Sequence, residues 1–165
     1  MPELQRLRAD HADAVLAFEV TNRAYFAASI SDRGDEYYDN FAERHDALLA
    51  DQQAGRDAYY VLVNEDGSVA GRFNLYFTDG TSANLGYRVA ETSAGRGLAT
   101  MAVRQLCDLA AGQHGRRRIM AATSNENIAS QRVLAKAGFT LIGPAAPSDL
   151  GGKSGHWYGR DLTVG

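Results

Sequence analysis

Cysteine occurs once in the 165 residues, at Cys107, so an internal disulfide is excluded and a reducing compartment is expected. No apolar stretch approaches the roughly 20 residues that a membrane span requires. The opening run Met1-Pro2-Glu3-Leu4-Gln5-Arg6 lacks the basic-then-apolar order of a secretion signal. Both readings predict a cytoplasmic protein with no membrane partner. No spacing of His, Cys and carboxylates suggests a metal site. Basic stripes are missing too, apart from Arg116-Arg117-Arg118, and the isoelectric point near 5.8 argues against a nucleic-acid partner. Linkers, repeats and low-complexity segments are absent, which leaves residues 1–165 as one domain large enough for a hydrophobic core.

What is present is unevenly placed. The net charge of −3 divides into 8 Lys and Arg against 15 Asp and Glu in residues 1–89, and 9 against 5 in residues 90–165. A basic half suits a polyanionic ligand, and an acidic half suits a cationic one.

Hydrophobic periodicity gives the order β-α-α-β-β-β-α-β-α-β-β. Glu3 to Arg8 alternates as a strand. A helix is expected from Asp10 to Phe26 and a second from Glu36 to Gln53, ended by Gly55. Three strands then meander through Ala58–Val63, Val69–Phe77 and Ala83–Val89, with turns at Asn64-Glu65-Asp66-Gly67 and Asp79-Gly80-Thr81. A helix with Leu98, Ala102, Leu106 and Leu109 on one face follows, then a strand at 118–123, a helix from Asn127 to Ala137 stopped by Gly138, and strands at 139–142 and 155–162. Three meandering strands before two strand–helix alternations predict a mixed α/β sheet of about seven strands with helices on both faces. Cys107, Met101 and Met120 read as core residues.

Ala94-Gly95-Arg96-Gly97-Leu98-Ala99-Thr100 joins a strand to a helix. Two glycines there free backbone N–H groups to point outward, and a helix N-terminus carries about half a positive charge. The combination is an anion cradle suited to a pyrophosphate. A dinucleotide fingerprint would need a third glycine where Thr100 stands, and a nucleoside-triphosphate loop would need a lysine after Gly97. About thirty residues on come Asn127-Ile128-Ala129-Ser130 and Val133-Leu134-Ala135-Lys136-Ala137-Gly138-Phe139.

The two motifs together resemble the GNAT superfamily of N-acetyltransferases, most closely its RimJ/RimL-like branch, which acetylates protein N-terminal amines. Residues 83–142 carry the resemblance. It implies a sheet splayed in the middle and acetyl-CoA as donor, with no metal. Gly95, Arg96, Gly97, Leu98, Ala99 and Thr100 would hold the pyrophosphate. The backbone of Tyr87, Arg88 and Val89 would pair with the pantetheine amides as an added strand does, and Asn127 would bond the pantetheine arm. Arg96, Arg132 or Arg116–Arg118 would meet the 3′-phosphate. Many members of the superfamily carry a thiol-protonating tyrosine where this chain has Leu134; the branch has a serine instead, here Ser130, which becomes the expected thiol partner or proton donor. Asn84 stands where the branch often has a glutamate, so it can orient a water but cannot accept a proton. Glu36, Tyr37, Tyr38, Glu91 and His156 are the remaining candidates for a base.

The acceptor is expected to be a protein N-terminal amine. A small amine (an aminoglycoside, polyamine or amino-acid derivative) is the alternative, and a non-catalytic acyl-CoA sensor is kept open by Leu134 and Asn84. Asp32-Arg33-Gly34-Asp35-Glu36-Tyr37-Tyr38-Asp39, with four carboxylates and two aromatics, is the expected acceptor site, drawing a cationic amine. Monomer and homodimer are both compatible with the sequence.

Overall fold

The meandering strands form where β-branched and aromatic residues cluster. Asp57–Val63 (β2) and Val69–Phe77 (β3) are joined through Asn64–Ser68, whose Asn64 N–H donates to the Ser68 carbonyl at 2.8 Å. The structure, a computed structural model, describes residues 2–78 and 80–162. Asp79, in the second expected turn, lies outside the described residues. Glu3–Arg6 (β1) pairs antiparallel with β2, and Ser82–Val89 (β4) follows β3. Arg118–Ser124 (β5), Thr140–Ala145 (β6) and Gly155–Asp161 (β7) complete a seven-stranded mixed sheet in the order β1-β2-β3-β4-β5-β7-β6. β7 is antiparallel to both β5 and β6, while β4 and β5 run parallel. That parallel ladder holds three pairs only, Ser82 with Arg118, Ala83 with Ile119 and Asn84 with Met120.

The two helices expected before β2 are four. Ala12–Thr21 (α1) and Arg23–Ala27 (α2) are divided at Asn22, and Asp35–Asp39 (α3) and Phe41–Gln53 (α4) at Asn40. Each asparagine turns its Nδ2 back onto the carbonyl four residues earlier, Asn22 to Phe18 at 2.9 Å and Asn40 to Glu36 at 3.1 Å. Asparagine competes with the backbone for such groups and breaks the ladder locally. Leu98–Gly112 (α5) buries Ala102, Val103, Leu106, Cys107 and Ala110, so its apolar stripe is turned slightly from the expected one and leaves Leu109 half-exposed. Ile128–Lys136 (α6) ends at Gly138, where φ is +90°. The Phe139 N–H donates to Leu134 and the Gly138 N–H to Ala135, a closure that needs a left-handed residue. β6 runs three residues further than expected, through Pro144 and Ala145, because a bulge between Leu141 and Gly143 lets it continue along β7.

The chain divides into two compact units, residues 1–74 with 87–94 and residues 75–86 with 95–165. In the first, Val15, Phe18, Phe26, Phe41, Tyr59 and Val61 build one apolar cluster. In the second, α5 packs on α6, and Leu106, Ile119 and Leu134 are wholly buried.

His11, in the turn before α1, accepts from the Arg8 N–H at Nδ1 (2.9 Å) and contacts Gln5 Oε1 through Nε2 (3.0 Å). Burial, then the charge of Arg8, hold its pKa below the usual 6.5. A depressed imidazole leaves the unfolded chain binding more protons, so stability should fall as pH drops below about 6.5. Urea midpoints measured between pH 7.5 and 5.5, at about half-unit steps, should decline in the wild type. In His11→Asn, which keeps an acceptor but does not titrate, they should stay level.

Candidate active site

Backbone geometry makes the cradle. Gly95 and Gly97 have φ of +74° and +76°, a region open to glycine at no steric cost. Gly97 is the N-cap residue of α5, and no side chain caps that end. A Cβ built on either glycine meets nothing within 4 Å, so the space in front of the helix start is open. The first amides of a 15-residue helix thus face outward beside exposed Arg96, with Leu98, Ala99 and Thr100 half-exposed. A diphosphate fits this arrangement, because the donors are main-chain groups and no carboxylate lies in the stretch.

At the start of α6, Asn127 Oδ1 accepts the Ser130 N–H at 3.2 Å. Asn127 is therefore the N-cap, which leaves Nδ2 as the donor it can offer a ligand. Ser130 sits half-buried in the first turn, and Leu134 is wholly buried in the core one turn on. Asn84 lines a cavity of about 240 Å³ with Met120, Ile142, Gly143, Pro144 and Trp157. Met120, expected in the core, is half-exposed there because β5 alternates and turns it away from buried Ile119 and Ala121. Cys107 is buried, as expected, and burial pushes its thiol up against the opposing pull of Arg160.

Several candidates have other tasks. Arg116 lies 4.3 Å over the Phe77 ring and donates from Nη1 to the carbonyls of Thr78, Gly80 and Ser82, tying down a hairpin. Arg118 lies 3.8 Å from Asp161. Arg96, Arg117 and Arg132 stay exposed. His156 Nδ1 is 2.8 Å from Asn125 Oδ1. Glu36 and Glu91 are exposed. Tyr37 is buried, and its hydroxyl accepts from Arg72 Nη1 at 3.0 Å. Burial, then the charge of Glu19, push the Tyr38 phenol up.

The acidic segment 32–39 is not a free set of carboxylates. Arg23 lies 4.4 Å over the Tyr38 ring and grips Asp32 through Nε (3.0 Å) and Nη2 (2.8 Å) and Asp35 through Nη2 (2.8 Å). That hydrogen bond, with one from the Gly34 amide, brings the Asp32 pKa to about 2. The sequence reading missed the group beside it. Glu19, on α1, is 0% exposed and receives Arg33 (Nε–Oε1 3.1 Å, Nη2–Oε2 3.3 Å), Arg72 (Nη1–Oε2 2.7 Å) and Arg88 (Nη1–Oε1 3.3 Å). A glutamate on the apolar face of a predicted helix was its one visible signal.

Sheet order, the short β4–β5 ladder and the glycine turn at the start of α5 define the acyl-CoA N-acyltransferase fold. Residues 3–140 match the acetyltransferase (GNAT) domain family, and the chain belongs to that family as an N-acetyltransferase. It is similar to a probable N-acetyltransferase, YjcK, of Bacillus subtilis (strain 168), 29% identical over 145 residues that cover 84% of this chain and 80% of that one. Among solved structures it resembles the ribosomal-protein-S5-alanine acetyltransferase of Vibrio fischeri (TM-score 0.89, 19% identity, 98% of this chain and 93% of that chain). It also resembles Mycobacterium smegmatis RimJ in complex with CoA-disulfide (TM-score 0.83, 22% identity, 96% and 80%).

Proposed function

We propose that this single acetyltransferase domain carries the acetyl group of acetyl-CoA directly to a primary amine, with a protein N-terminal amine as the acceptor class. The open, uncapped start of α5 with its two left-handed glycines carries the reading. Its amides hold the diphosphate, and Asn127 Nδ2 donates to the pantetheine arm. The backbone of Tyr87–Val89 supplies the donors that align the thioester and stabilise the oxyanion. The amine nitrogen attacks the thioester carbonyl, the C–N bond forms as the C–S bond breaks, and the proton lost by the amine ends on the departing thiolate. Ser130 holds the proton donated to sulfur. Before the attack, Asn84 orients a water that relays the first proton of the ammonium outward; the second, lost as the C–N bond forms, replaces the one that Ser130 gives to sulfur. The RimJ complex supports CoA as the donor, and the Vibrio relative's name, which gives an alanine of a ribosomal protein, supports a protein acceptor.

Acetyl-CoA at about 100 times its Kd should add about 2.7 kcal/mol of stability, a rise in Tm of about 5–10 °C for a chain this size. No shift would end the proposal. With a peptide acceptor and a thiol-release assay, Ser130→Ala should lower kcat by about 100-fold while the acetyl-CoA shift stays. Unchanged kcat would remove the role given to Ser130.

A further inference from the structure

We propose that the acceptor amine bears a carboxylate, and that Arg33, Arg72 and Arg88 around Glu19 form the subsite that receives it. The inference deepens the transferase reading and rests on it for the identity of the reaction.

Three guanidiniums converge on one carboxylate. Each oxygen of Glu19 already takes two of them, Oε1 from Arg33 and Arg88 and Oε2 from Arg33 and Arg72. A carboxylate offers about four acceptor positions, so Glu19 is saturated, while each guanidinium presents five donors. One negative charge faces three positive ones. The neighbouring carboxylates do not make up the difference, because Asp32 and Asp35 are held by Arg23, and Arg44 adds a further positive charge 5.5 Å from the Tyr37 ring. Arg88 also lies 5.1 Å over the Phe26 ring and Arg33 4.5 Å over the Tyr37 ring, so packing fixes both planes.

The cluster is graded toward solvent, with side-chain exposures of 6% for Arg72, 16% for Arg88 and 28% for Arg33. A small anion can reach the outer two without disturbing the inner pair. The Ala90 N–H donates to Ala70, and the rings of Phe73 and Tyr87 stack at 5.6 Å, so Arg72 stands opposite Arg88 across the strand pair. Arg88 belongs to the segment Tyr87–Val89 whose backbone the proposed reaction uses. A carboxylate bound there therefore sits a side chain's length from the acetyl group. Like-charge crowding agrees with this, since burial and then Arg33 lower the pKa of Arg88. A planar carboxylate suits a paired guanidinium, and the resident Glu19 demonstrates that fit.

The test is binding by the full chain, read as Tm against concentration at constant ionic strength. One pair of probes is alanine and alaninamide, and the other is Ala-Glu-Ala-amide and Ala-Gln-Ala-amide. The carboxylate member of at least one pair should bind about tenfold tighter. The first pair answering identifies a free amino acid as the source, the second an acidic residue near a peptide N-terminus. Arg33→Gln should bring the ratio close to one, and Arg33→Lys should restore part of it. Equal affinities in both pairs, or no binding of either carboxylate probe at millimolar concentration, overturn the subsite. Acetyl-CoA is titrated separately. If it shifts Tm while the ratios stay at one, the subsite falls and the transferase reading stands. If it gives no shift while the ratio holds, the transferase reading falls and the carboxylate subsite stands.

Discussion

Glu19→Gln should cost about 3–5 kcal/mol of folding stability, because removing one partner of a buried ion group leaves uncompensated charge behind. A native domain of this kind has about 5–15 kcal/mol in total, so much of that margin goes with one oxygen-to-nitrogen exchange. Glutamine keeps the volume but turns an amide donor toward Arg33, Arg72 or Arg88, which are themselves donors. The variant should show a urea midpoint lowered in proportion, with m unchanged. The pH dependence gives a second readout. Burial raises the Glu19 pKa, but the charges of Arg33, Arg72 and Arg88 outweigh it, and the folded value lies below the usual 4.5. A depressed carboxyl contributes stability above the unfolded pKa and loses it as pH falls through the folded one. The wild type should therefore weaken on acidification below about pH 4.5, and Glu19→Gln should lack that part of the profile. Adding Arg33→Gln to Glu19→Gln should recover part of the loss, since one unbalanced charge goes with it; strict additivity would contradict the coupling drawn here.

Gly97→Val should reduce kcat/KM for acetyl-CoA by about 100-fold or more. Two terms contribute. A branched residue at φ +76° carries about 1–2 kcal/mol of backbone strain, felt as a lower Tm. Its methyl groups also enter the space that Gly97 leaves open in front of α5. Losing two charge-assisted bonds to a diphosphate at about 1.5–3 kcal/mol each, about 3–6 kcal/mol together, corresponds to the stated fold-change. Gly112→Val, near the other end of α5, also has no atom within 4 Å of a built Cβ and keeps an ordinary φ, so it controls for helix propensity. Equal acetyl-CoA affinity in the two variants would rule out the cradle.

The succession of strands along the chain, the meander and the helices around the coenzyme motifs were legible because they rest on local patterns; the place of β7 between β5 and β6 was not. β3 begins and ends where alternation and turn residues place it, and α6 falls within a residue of its sequence-based limits. The N-terminal helices were legible as helices but not as four pieces, because Asn22 and Asn40 break them through side-chain bonds that leave the apolar pattern intact. The start of α6 at Asn127, with Ser130 in its first turn, followed from the helical pattern. The Glu19 group did not, since its members stand 14, 53 and 69 residues from Glu19 and meet only after β3 and β4 pair. Reading the acids at 32–39 as free followed from counting charges along the chain, when Arg23 had already claimed two of them. Arg116 was visible as one of three basic residues in a row, yet its partners are carbonyls of a turn more than thirty residues upstream.

The backbone passes from one compact unit to the other after Asn74, returns after Gly86 and crosses again after Ala94. No single cut can release both units, so a chain divided at any one of these crossings would give two incomplete pieces. On the ribosome the first unit cannot close until Ala94 has emerged, by which time residues 75–86 of the second have already been made. Synthesis, rather than any linker, couples the maturation of the two.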